Sequence, residues 1–306
     1  MLGNPHLCGG TLLSYDPAFV LTAAHCVADA LPDHSSFVSY HDVKRAHQKK
    51  VGVSSWSIHP LYNVSLTINP SYDVAIIRLD QPLAPSRRVR RVPLWPPDMN
   101  PTQITKGELV GFGYTSNKEE QAQILQKIEL NITLFDQGNI QARSNTERNV
   151  ACHGDSGGPL VVHHDQIPFV IGSLVRIYGA RDTERLTCPV PLDSEIHWGK
   201  SNKVVESFVN TASVLDWISQ VTALSLKDLT DPGFVPPSSV VEEPNEIGHW
   251  HIGGVVDQNG LLSNTTGWIG AVMPDYKLLD DSWADSLRPS LYILIILFCN
   301  LFVNCI

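Results

Sequence analysis

The sequence lacks an excess of positive charge. It contains 22 Lys and Arg residues against 31 Asp and Glu residues, for a formal net charge of −9. Proteins that bind the phosphates of DNA or RNA usually present a basic face, so this balance argues against a nucleic-acid partner. The most basic stretch holds Arg87, Arg88, Arg90 and Arg91. We interpret it as a solvated loop, with a binding patch as the alternative.

The sequence also lacks cysteines in a metal-binding spacing. None of its six cysteines belongs to a Cys-x-x-Cys pair, and the histidines near them do not complete a zinc pattern. Four of the cysteines lie in sequence typical of a soluble domain, namely Cys8, Cys26, Cys152 and Cys188, whereas Cys299 and Cys305 lie in an apolar tail. We therefore expect two disulfide bonds, formed in an oxidising compartment.

A secretory signal peptide is missing from the first residues, which have neither a charged start nor an apolar core. Either export does not use such a signal or the natural chain starts upstream, and we favour the second interpretation. Three Asn-x-Ser/Thr sequons fit an oxidising, extracellular or cell-surface location. They begin at Asn63, Asn131 and Asn264.

Short β-favouring runs separated by turn residues continue to about residue 210. This pattern predicts antiparallel barrels or a sandwich. Apolar residues between Val204 and Val221 then recur close to helical spacing, which predicts a terminal helix. We expect Trp217 to anchor that helix to the strands.

Residues 223–246 are acidic and rich in proline, which is typical of a linker. We therefore expect a domain over residues 1–222, the linker, an extension or stalk over 247–290, and a hydrophobic tail over 291–306. The tail is short for a bilayer span. It fits a cleaved GPI signal or a retained hydrophobic tail, either of which would attach the protein to a membrane, and a gene-model error is the third interpretation.

The strongest local motif is the run from Cys152 to Leu160, which reads Cys-His-Gly-Asp-Ser-Gly-Gly-Pro-Leu. A glycine-rich turn exposes a serine hydroxyl and lets backbone N–H groups point at one spot. This run resembles the nucleophile motif of the chymotrypsin and trypsin family of serine peptidases. The resemblance implies that Ser156 is the nucleophile and that the N–H groups of Gly154 and Ser156 form the oxyanion hole.

Two further motifs resemble those of the same family. The run Thr-Ala-Ala-His-Cys ends at Cys26, and the run from Tyr72 to Leu79 reads Tyr-Asp-Val-Ala-Ile-Ile-Arg-Leu. The resemblance implies that His25 is the general base and that Asp73 orients its imidazole. The chain order His, Asp, Ser is that of this family and differs from the orders in subtilisins and α/β-hydrolases.

The resemblance covers about residues 7–221. It implies an all-β fold of two six-stranded antiparallel barrels with a C-terminal helix. It also implies that Cys8 pairs with Cys26 and that Cys152 pairs with Cys188. The implied function is that of a serine endopeptidase, with protein or peptide substrates and protein inhibitors as partners. Such acyl transfer needs no metal and no other cofactor.

The chain departs from the family before its first motif. Active members begin with an Ile-Val-Gly-Gly type of sequence, whose freed amine pairs with the aspartate before the nucleophile, here Asp155. No such sequence is present. An unpaired buried carboxylate typically costs several kcal/mol. We therefore predict that a preparation starting at Met1 is a poor enzyme.

The expected specificity pocket also departs from the family pattern. Val150 falls where trypsins carry an aspartate at the pocket base, and Val175 and Ile177 replace a serine and a glycine of the pocket wall. The bulk of Ile177 would favour a small aliphatic residue before the scissile bond. Glu206 aligns loosely with another wall position, where it would restore a negative charge. We favour the interpretation that Glu206 is a surface residue in a variable loop.

Two other functions fit parts of the sequence. One is a non-catalytic cell-surface binding protein that uses the peptidase fold, which the missing start and the unusual pocket wall favour. The other is an enzyme of the same fold that prefers esters to peptides, because both reactions pass through an acyl-enzyme.

Overall fold

The structure is a computed structural model. It describes residues 8–28, 36–63, 70–99, 104–115, 121–144, 150–178, 180–181, 188, 190–191, 204–233, 250–251, 254–255 and 298–300. Asn264 and most of the expected extension and tail lie outside the described residues.

Strands make up most of the regular secondary structure of the described chain. In chain order they are β1 (Thr11–Tyr15), β2 (Ala18–Thr22), β3 (Phe37–Tyr40), β4 (Lys49–Ile58), β5 (Ala75–Leu79), β6 (Lys106–Gly111), β7 (Gln126–Phe135), β8 (Asn139–Ser144), β9 (Pro159–His164), β10 (Ile167–Tyr178), β11 (Ala180–Arg181), β12 (Val190–Pro191), β13 (Val205–Asn210), β14 (Trp250–His251), β15 (Gly254–Val255) and β16 (Phe298–Asn300). Two short helices follow β13, namely α1 (Leu215–Thr222) and α2 (Leu226–Thr230). Single 3-10 turns lie at Ala24–Cys26, Arg45–His47, Pro70–Tyr72 and Thr211–Val214.

The strands form two large antiparallel units. The first is a curled six-stranded sheet with the order β1-β2-β5-β4-β3-β16, and the second is a closed barrel with the order β10-β13-β8-β7-β6-β9. The pairs β11–β12 and β14–β15 are separate small sheets. The fold class predicted from the sequence is thereby confirmed, including the helix that follows the last barrel strand.

Strand β16 belongs to the tail that the sequence assigns to membrane attachment. It pairs antiparallel with β3, with Cys299 opposite Val38. Among the residues that the structure describes, no helix is long and apolar enough to cross a membrane.

Two large hydrophobic cores and one small cluster stabilise the described part of these units. The first core lies between the first sheet and the two helices, and it includes Leu12, Leu21, Ile76, Ile77 and Ile218. The second core fills the closed barrel, and it includes Leu130, Ile140, Leu160, Ile171 and Phe208. Strand β8 shows how the sequence produces this, because Ile140, Ala142 and Ser144 alternate inward with more exposed neighbours.

The packed part of the chain extends beyond residue 222, where the sequence indicates the start of a linker. Helix α2 begins with a capping box between Ser225 and Asp228. Leu229 is 1% exposed and lies in the first core. Its carbonyl accepts a hydrogen bond of 2.9 Å from the backbone N–H of Leu94.

The basic run is not a solvated loop along its whole length. Arg90 and Arg91 are buried, and a side-chain N–H of Arg91 donates to the carbonyl of Asp231 just after α2. The backbone N–H of Arg91 donates to the hydroxyl of Tyr15. The sequence prediction is therefore wrong for these two residues, because their side chains serve tertiary packing.

We predict that Leu229→Ala lowers the free energy of unfolding by about 2 to 5 kcal/mol, because it removes a fully buried side chain from the first core. The matched control is Leu226→Ala in the same helix, where Leu226 is 39% exposed. That control should change stability by less than about 0.5 kcal/mol. Urea unfolding of both variants measures this, and equal effects would show that α2 does not belong to the folded domain.

Candidate active site

His25 lies on the 3-10 turn that follows strand β2. Cys26, the next residue, forms a disulfide bond with Cys8, whose Cα atom lies 6.2 Å from that of Cys26. The residues before the turn, from Ala18 to Thr22, are all buried. His25 thus extends from a backbone that is fixed on both sides, by a buried strand and by a covalent bond.

Asp73 makes two hydrogen bonds to His25. Its Oδ1 accepts from the backbone N–H of His25 at 2.8 Å, and its Oδ2 lies 2.7 Å from Nδ1 of the imidazole. The His25 side chain is 36% exposed and the Asp73 side chain 15%. A carboxylate that accepts the Nδ1 proton fixes the tautomer and leaves Nε2 of a neutral imidazole as an acceptor. The open edge of the ring can therefore take a proton.

The strand after Asp73 explains its position. Asp73 follows the 3-10 turn Pro70–Tyr72, where its N–H donates to the carbonyl of Pro70 at 3.1 Å. Strand β5 then pairs with β2, the strand that leads to His25, with Ala75 opposite Thr22. The two side chains meet because each lies beside the same end of this strand pair.

The loop that carries Ser156 is held by backbone hydrogen bonds to several elements. The Ser156 carbonyl accepts from the N–H of Gly9 at 2.7 Å, and the N–H of Gly157 donates to the carbonyl of Leu174 in β10 at 2.7 Å. Gly154 and Gly157 have φ angles of 94° and 76°. A side chain is rarely tolerated at such angles, so the glycines of the motif are needed for this turn.

Gly9 also connects the Ser156 loop with the His25 turn. Its carbonyl accepts from the Thr22 hydroxyl at 2.8 Å, and its neighbour Cys8 is bonded to Cys26. The second disulfide bond joins Cys152, four residues before Ser156, to Cys188. Both pairings are those that the family resemblance implies.

Asp155 is half-buried, and its carboxylate accepts hydrogen bonds from two backbone N–H groups. Its Oδ1 accepts from the N–H of Gly113 and its Oδ2 from the N–H of Cys152, both at 2.9 Å. A Cβ atom at Gly111 or Gly113 would overlap the carboxylate. Burial raises the pKa of Asp155 to about 6, although the two hydrogen bonds act in the opposite direction. No cationic side chain of the described residues forms an ion pair with Asp155.

The expected pocket residues lie in different environments. Val150 is half-buried at the start of a described segment. Val175 is buried and contributes to the first core. Ile177 is half-buried and packs against the second core.

Glu206 is not a surface residue, and the favoured interpretation from the sequence is wrong. It lies in strand β13 between Ile177 of β10 and Ala142 of β8, and it is 0% exposed. It lies on the same face of β13 as Phe208, two residues on, whose side chain is in the second core. Because side chains alternate between the two faces of a β-strand, the Glu206 carboxyl points into the barrel.

The Glu206 carboxyl is only partly hydrogen-bonded. Its Oε1 accepts from the N–H of Ala151 at 3.4 Å, and its Oε2 has no hydrogen-bond partner among the described residues. Burial raises the pKa of Glu206 to about 7, while the Ala151 hydrogen bond and the charge of Arg143 act in the opposite direction. Burial therefore favours the protonated carboxyl up to a pH near 7.

His59 has a structural role that the sequence motifs did not reveal. It is buried, its ring stacks on Tyr72 at 4.8 Å between centroids, and the ring of Trp217 lies 4.9 Å away. Burial lowers the pKa of His59. Trp217 thereby anchors α1 beside the turn that precedes Asp73, as the sequence indicated for this tryptophan.

The remaining sequence-predicted sites are more peripheral. Asn63 is exposed in a loop, and Asn131 is half-buried in strand β7.

Cys8, Cys26 and His25 bring potential metal ligands within 4.8 Å of one another. The two sulfurs are bonded to each other, however, so they cannot act as thiolate ligands.

Similarity to known proteins covers about the first two thirds of the chain. The family model described as Trypsin matches residues 2–198. The Suppressor of tumorigenicity 14 protein homolog of Bos taurus is 31% identical over 179 residues, which are 52% of this chain and 20% of that protein. The Ovochymase of Halocynthia roretzi is 30% identical over 179 residues, which are 51% of this chain and 10% of that protein. The chain thus spans a small part of the length of these curated relatives.

We predict that Glu206→Gln flattens the pH dependence of stability. The carboxyl has a higher pKa in the folded chain, about 7, than in the unfolded chain, about 4.3. At pH values below about 4 the Glu206 carboxyl is protonated in both the folded and the unfolded chain, so its ionisation does not affect stability there. As the pH rises from about 4 to about 7, the unfolded state loses its proton first, and stability falls by up to about 3 kcal/mol.

The measurement is urea unfolding of both proteins at intervals from pH 4 to pH 8. The difference between the two curves isolates Glu206 from other carboxyls such as Asp155. Glu129→Gln is the control for the loss of a barrel carboxylate, because the Glu129 side chain is 46% exposed and pairs with Lys106. The pH dependence of stability should change more in Glu206→Gln than in Glu129→Gln. A pH-independent difference for Glu206→Gln would contradict the assignment of a protonated carboxyl.

Proposed function

The chain belongs to the trypsin family of serine peptidases, and on that premise we propose that it hydrolyses peptide bonds as a serine endopeptidase. The nucleophile is Ser156, the general base is His25, and Asp73 orients the base. The observation that carries this proposal is the pair of hydrogen bonds, at 2.8 and 2.7 Å, by which Asp73 holds both the backbone and the imidazole of His25. That arrangement directs the basic Nε2 away from the carboxylate.

The reaction begins at the serine hydroxyl. His25 Nε2 takes the hydroxyl proton while Ser156 Oγ forms a bond to the substrate carbonyl carbon. The carbonyl oxygen becomes an oxyanion, which the backbone N–H groups of Gly154 and Ser156 stabilise. When the intermediate collapses, the C–N bond breaks and the imidazolium returns its proton to the leaving amine. The substrate acyl group is then an ester of Ser156.

Water completes the cycle by the same route. His25 accepts a proton from the water while its oxygen attacks the ester carbonyl. The second tetrahedral intermediate releases the carboxylic acid product, and the proton goes to Ser156 Oγ. Asp73 remains ionised throughout and stabilises the imidazolium of each step.

Asp155 is proposed to order the loop around these groups. Its two backbone hydrogen bonds connect the nucleophile motif with the Gly111–Gly113 segment. A cationic partner would favour the ionised carboxylate, which burial disfavours. In the family that partner is the amine freed by activation, and we propose the same role for Asp155 in this chain.

The proposed location is extracellular or at the cell surface, with proteins or peptides as substrates. Two disulfide bonds support it, because such bonds persist in oxidising compartments. The exposed sequon at Asn63 agrees. Membrane attachment through the tail, with or without GPI, is a separate proposal that rests on the apolar sequence of residues 291–306.

The test of the proposed chemistry is labelling with a fluorophosphonate followed by peptide mass mapping. We predict a covalent adduct on Ser156 and none in Ser156→Ala. Peptide hydrolysis should be lost in the same variant. Asp73→Asn should lower kcat on the order of 10⁴-fold, because an amide favours the wrong imidazole tautomer.

Asp80→Asn is the matched control for Asp73→Asn. Asp80 directly follows strand β5, which Asp73 precedes, and it is exposed. It should leave hydrolysis near that of the unaltered protein. A folded protein that does not label at Ser156 would instead favour the non-catalytic binding protein, and labelling with hydrolysis of esters alone would favour the esterase.

A further inference from the structure

We propose that the edge of strand β3 is a docking site for the chain's own C-terminal tail. Its occupant is the segment that forms β16, Phe298–Asn300, which joins the first sheet as its sixth strand. This inference goes beyond the proposed function, because it concerns how the tail is held and does not depend on hydrolysis at Ser156. It makes docking on β3 and attachment to a membrane through the tail mutually exclusive.

The first sheet takes its sixth strand from a distant part of the sequence. Its other five strands, β1 to β5, lie within residues 11–79, whereas β16 begins at Phe298. The closed barrel also has six strands, and all of them lie between Lys106 and Asn210. In the two large units, β16 is therefore the one described strand that joins its sheet from outside the local run of chain.

The register pairs β3 on both sides. Val38 lies opposite Val51 of β4 on one side and opposite Cys299 of β16 on the other. Phe37 and Ser39 likewise have a partner residue in each neighbouring strand. Strand β16 thus converts β3 from an edge strand into an interior strand, whose backbone N–H and C=O groups can form hydrogen bonds along both edges.

Strand β3 lacks the features that protect an exposed edge. Such edges usually carry a charged residue, a proline or a bulge, whereas β3 reads Phe-Val-Ser-Tyr and pairs with β4 without a register shift. Its first three residues are buried, and Val38 belongs to the first core. Unpaired backbone groups beside such a strand would lose hydration without gaining a hydrogen bond. The edge therefore favours a covering strand.

The tail has the composition of a covering strand. Residues 291–306 contain no charged residue, no glycine and no proline, and they are rich in β-branched and aromatic residues. Without proline, every residue keeps the N–H that a strand pair needs. The chain between Gly233 and Phe298 is also long enough to reach any surface of the domain, since an extended residue spans roughly 3.3 Å.

Docking competes with membrane attachment because both use the same residues. A helical bilayer span needs about 20 predominantly apolar residues, so a span built from residues 291–306 would include Phe298–Asn300. In a spanning helix the backbone groups bond within the helix, and the same groups cannot also bond β3. Cleavage at a GPI signal upstream of the tail would remove β16 altogether. Either form of attachment leaves β3 without its second neighbour.

The register gives a direct test that uses a native cysteine. Opposed residues of antiparallel strands have Cα atoms about 4.5 to 5.5 Å apart, within the range of about 4.4 to 6.8 Å that a disulfide bond needs. In the full chain, purified without detergent and mildly oxidised, Val38→Cys should form an intramolecular disulfide bond with Cys299. Peptide mass mapping of the unreduced monomer identifies this bond, and Cys299→Ser in the same background should abolish it.

Val51→Cys is the matched control for Val38→Cys. Val51 is also a buried valine of the first core, and it lies opposite Val38 on the side away from β16. Two strand spacings of about 4.8 Å each separate it from Cys299, which exceeds the limit of about 7 Å for a disulfide bond. We expect the yield of the bond to Cys299 to be about 10-fold or more lower in Val51→Cys than in Val38→Cys.

Hydrogen exchange of backbone amides provides a second measurement, which serves if Val38→Cys does not fold. Cys299→Pro removes a backbone N–H from β16, whereas Cys299→Ser retains it. Exchange in peptides that cover Phe37–Tyr40 should be about 10-fold or more faster in Cys299→Pro than in Cys299→Ser. Peptides that cover Ala75–Leu79 should exchange equally in both, because β5 lies between β2 and β4.

Several results would overturn the inference. One is a folded Val38→Cys protein that forms no bond to Cys299. A disulfide bond between two chains would show that a second copy occupies the β3 edge, and a bond to Cys305 would show that another part of the tail does. Equal exchange of β3 in the proline and serine variants would show that β16 does not cover it. Failure of the proposed function leaves these readouts unchanged, since none of them requires a reactive Ser156.

Discussion

The short segment Cys8–Gly9 holds the two halves of the candidate site in one frame. Its disulfide bond fixes the residue after His25, and its backbone N–H fixes the carbonyl of Ser156. The Thr22 hydroxyl ties the same segment to the strand that leads to His25. A covalent bond and two hydrogen bonds therefore define the separation of the proposed base and nucleophile. General acid–base catalysis depends on that separation at the scale of a hydrogen bond.

Burial raises the pKa values of two carboxyls, Asp155 and Glu206, which differ in the hydrogen bonds that they accept. Asp155 accepts two backbone hydrogen bonds at 2.9 Å, and burial still raises its pKa to about 6. Glu206 accepts one longer bond, and its pKa rises to about 7. Because both pKa values are higher in the folded chain than in the unfolded chain, protonation of either carboxyl stabilises the fold. A cation beside Asp155 would instead favour its ionised form, so the order of the Ser156 loop depends on whether Asp155 has a cationic partner. Glu206 lies inside the barrel and is 0% exposed.

The sequence predicted the parts of the site that depend on local motifs. The fold class, His25 beside Asp73 and the glycine-rich Ser156 turn follow from runs in which chemistry and backbone geometry constrain neighbouring residues. The burial of Glu206 could not be predicted in this way, because it depends on a strand register that pairs residues about thirty positions apart. The packing of Arg91 against Asp231 was missed for the same reason. A run of arginines has the composition of a solvated loop, and only the position of α2 makes it part of the interior.

Cross-strand pairing relates two residues that the sequence treats separately. Counting along the chain places Ile177 and Glu206 at two separate wall positions and gives them opposing consequences, one for small side chains and one for basic side chains. The sheet makes them one cross-strand pair in which the hydrocarbon is half-buried and the acid fully buried. The charge state of a carboxyl enclosed in this way depends on the packing of the barrel and not on the local sequence around it.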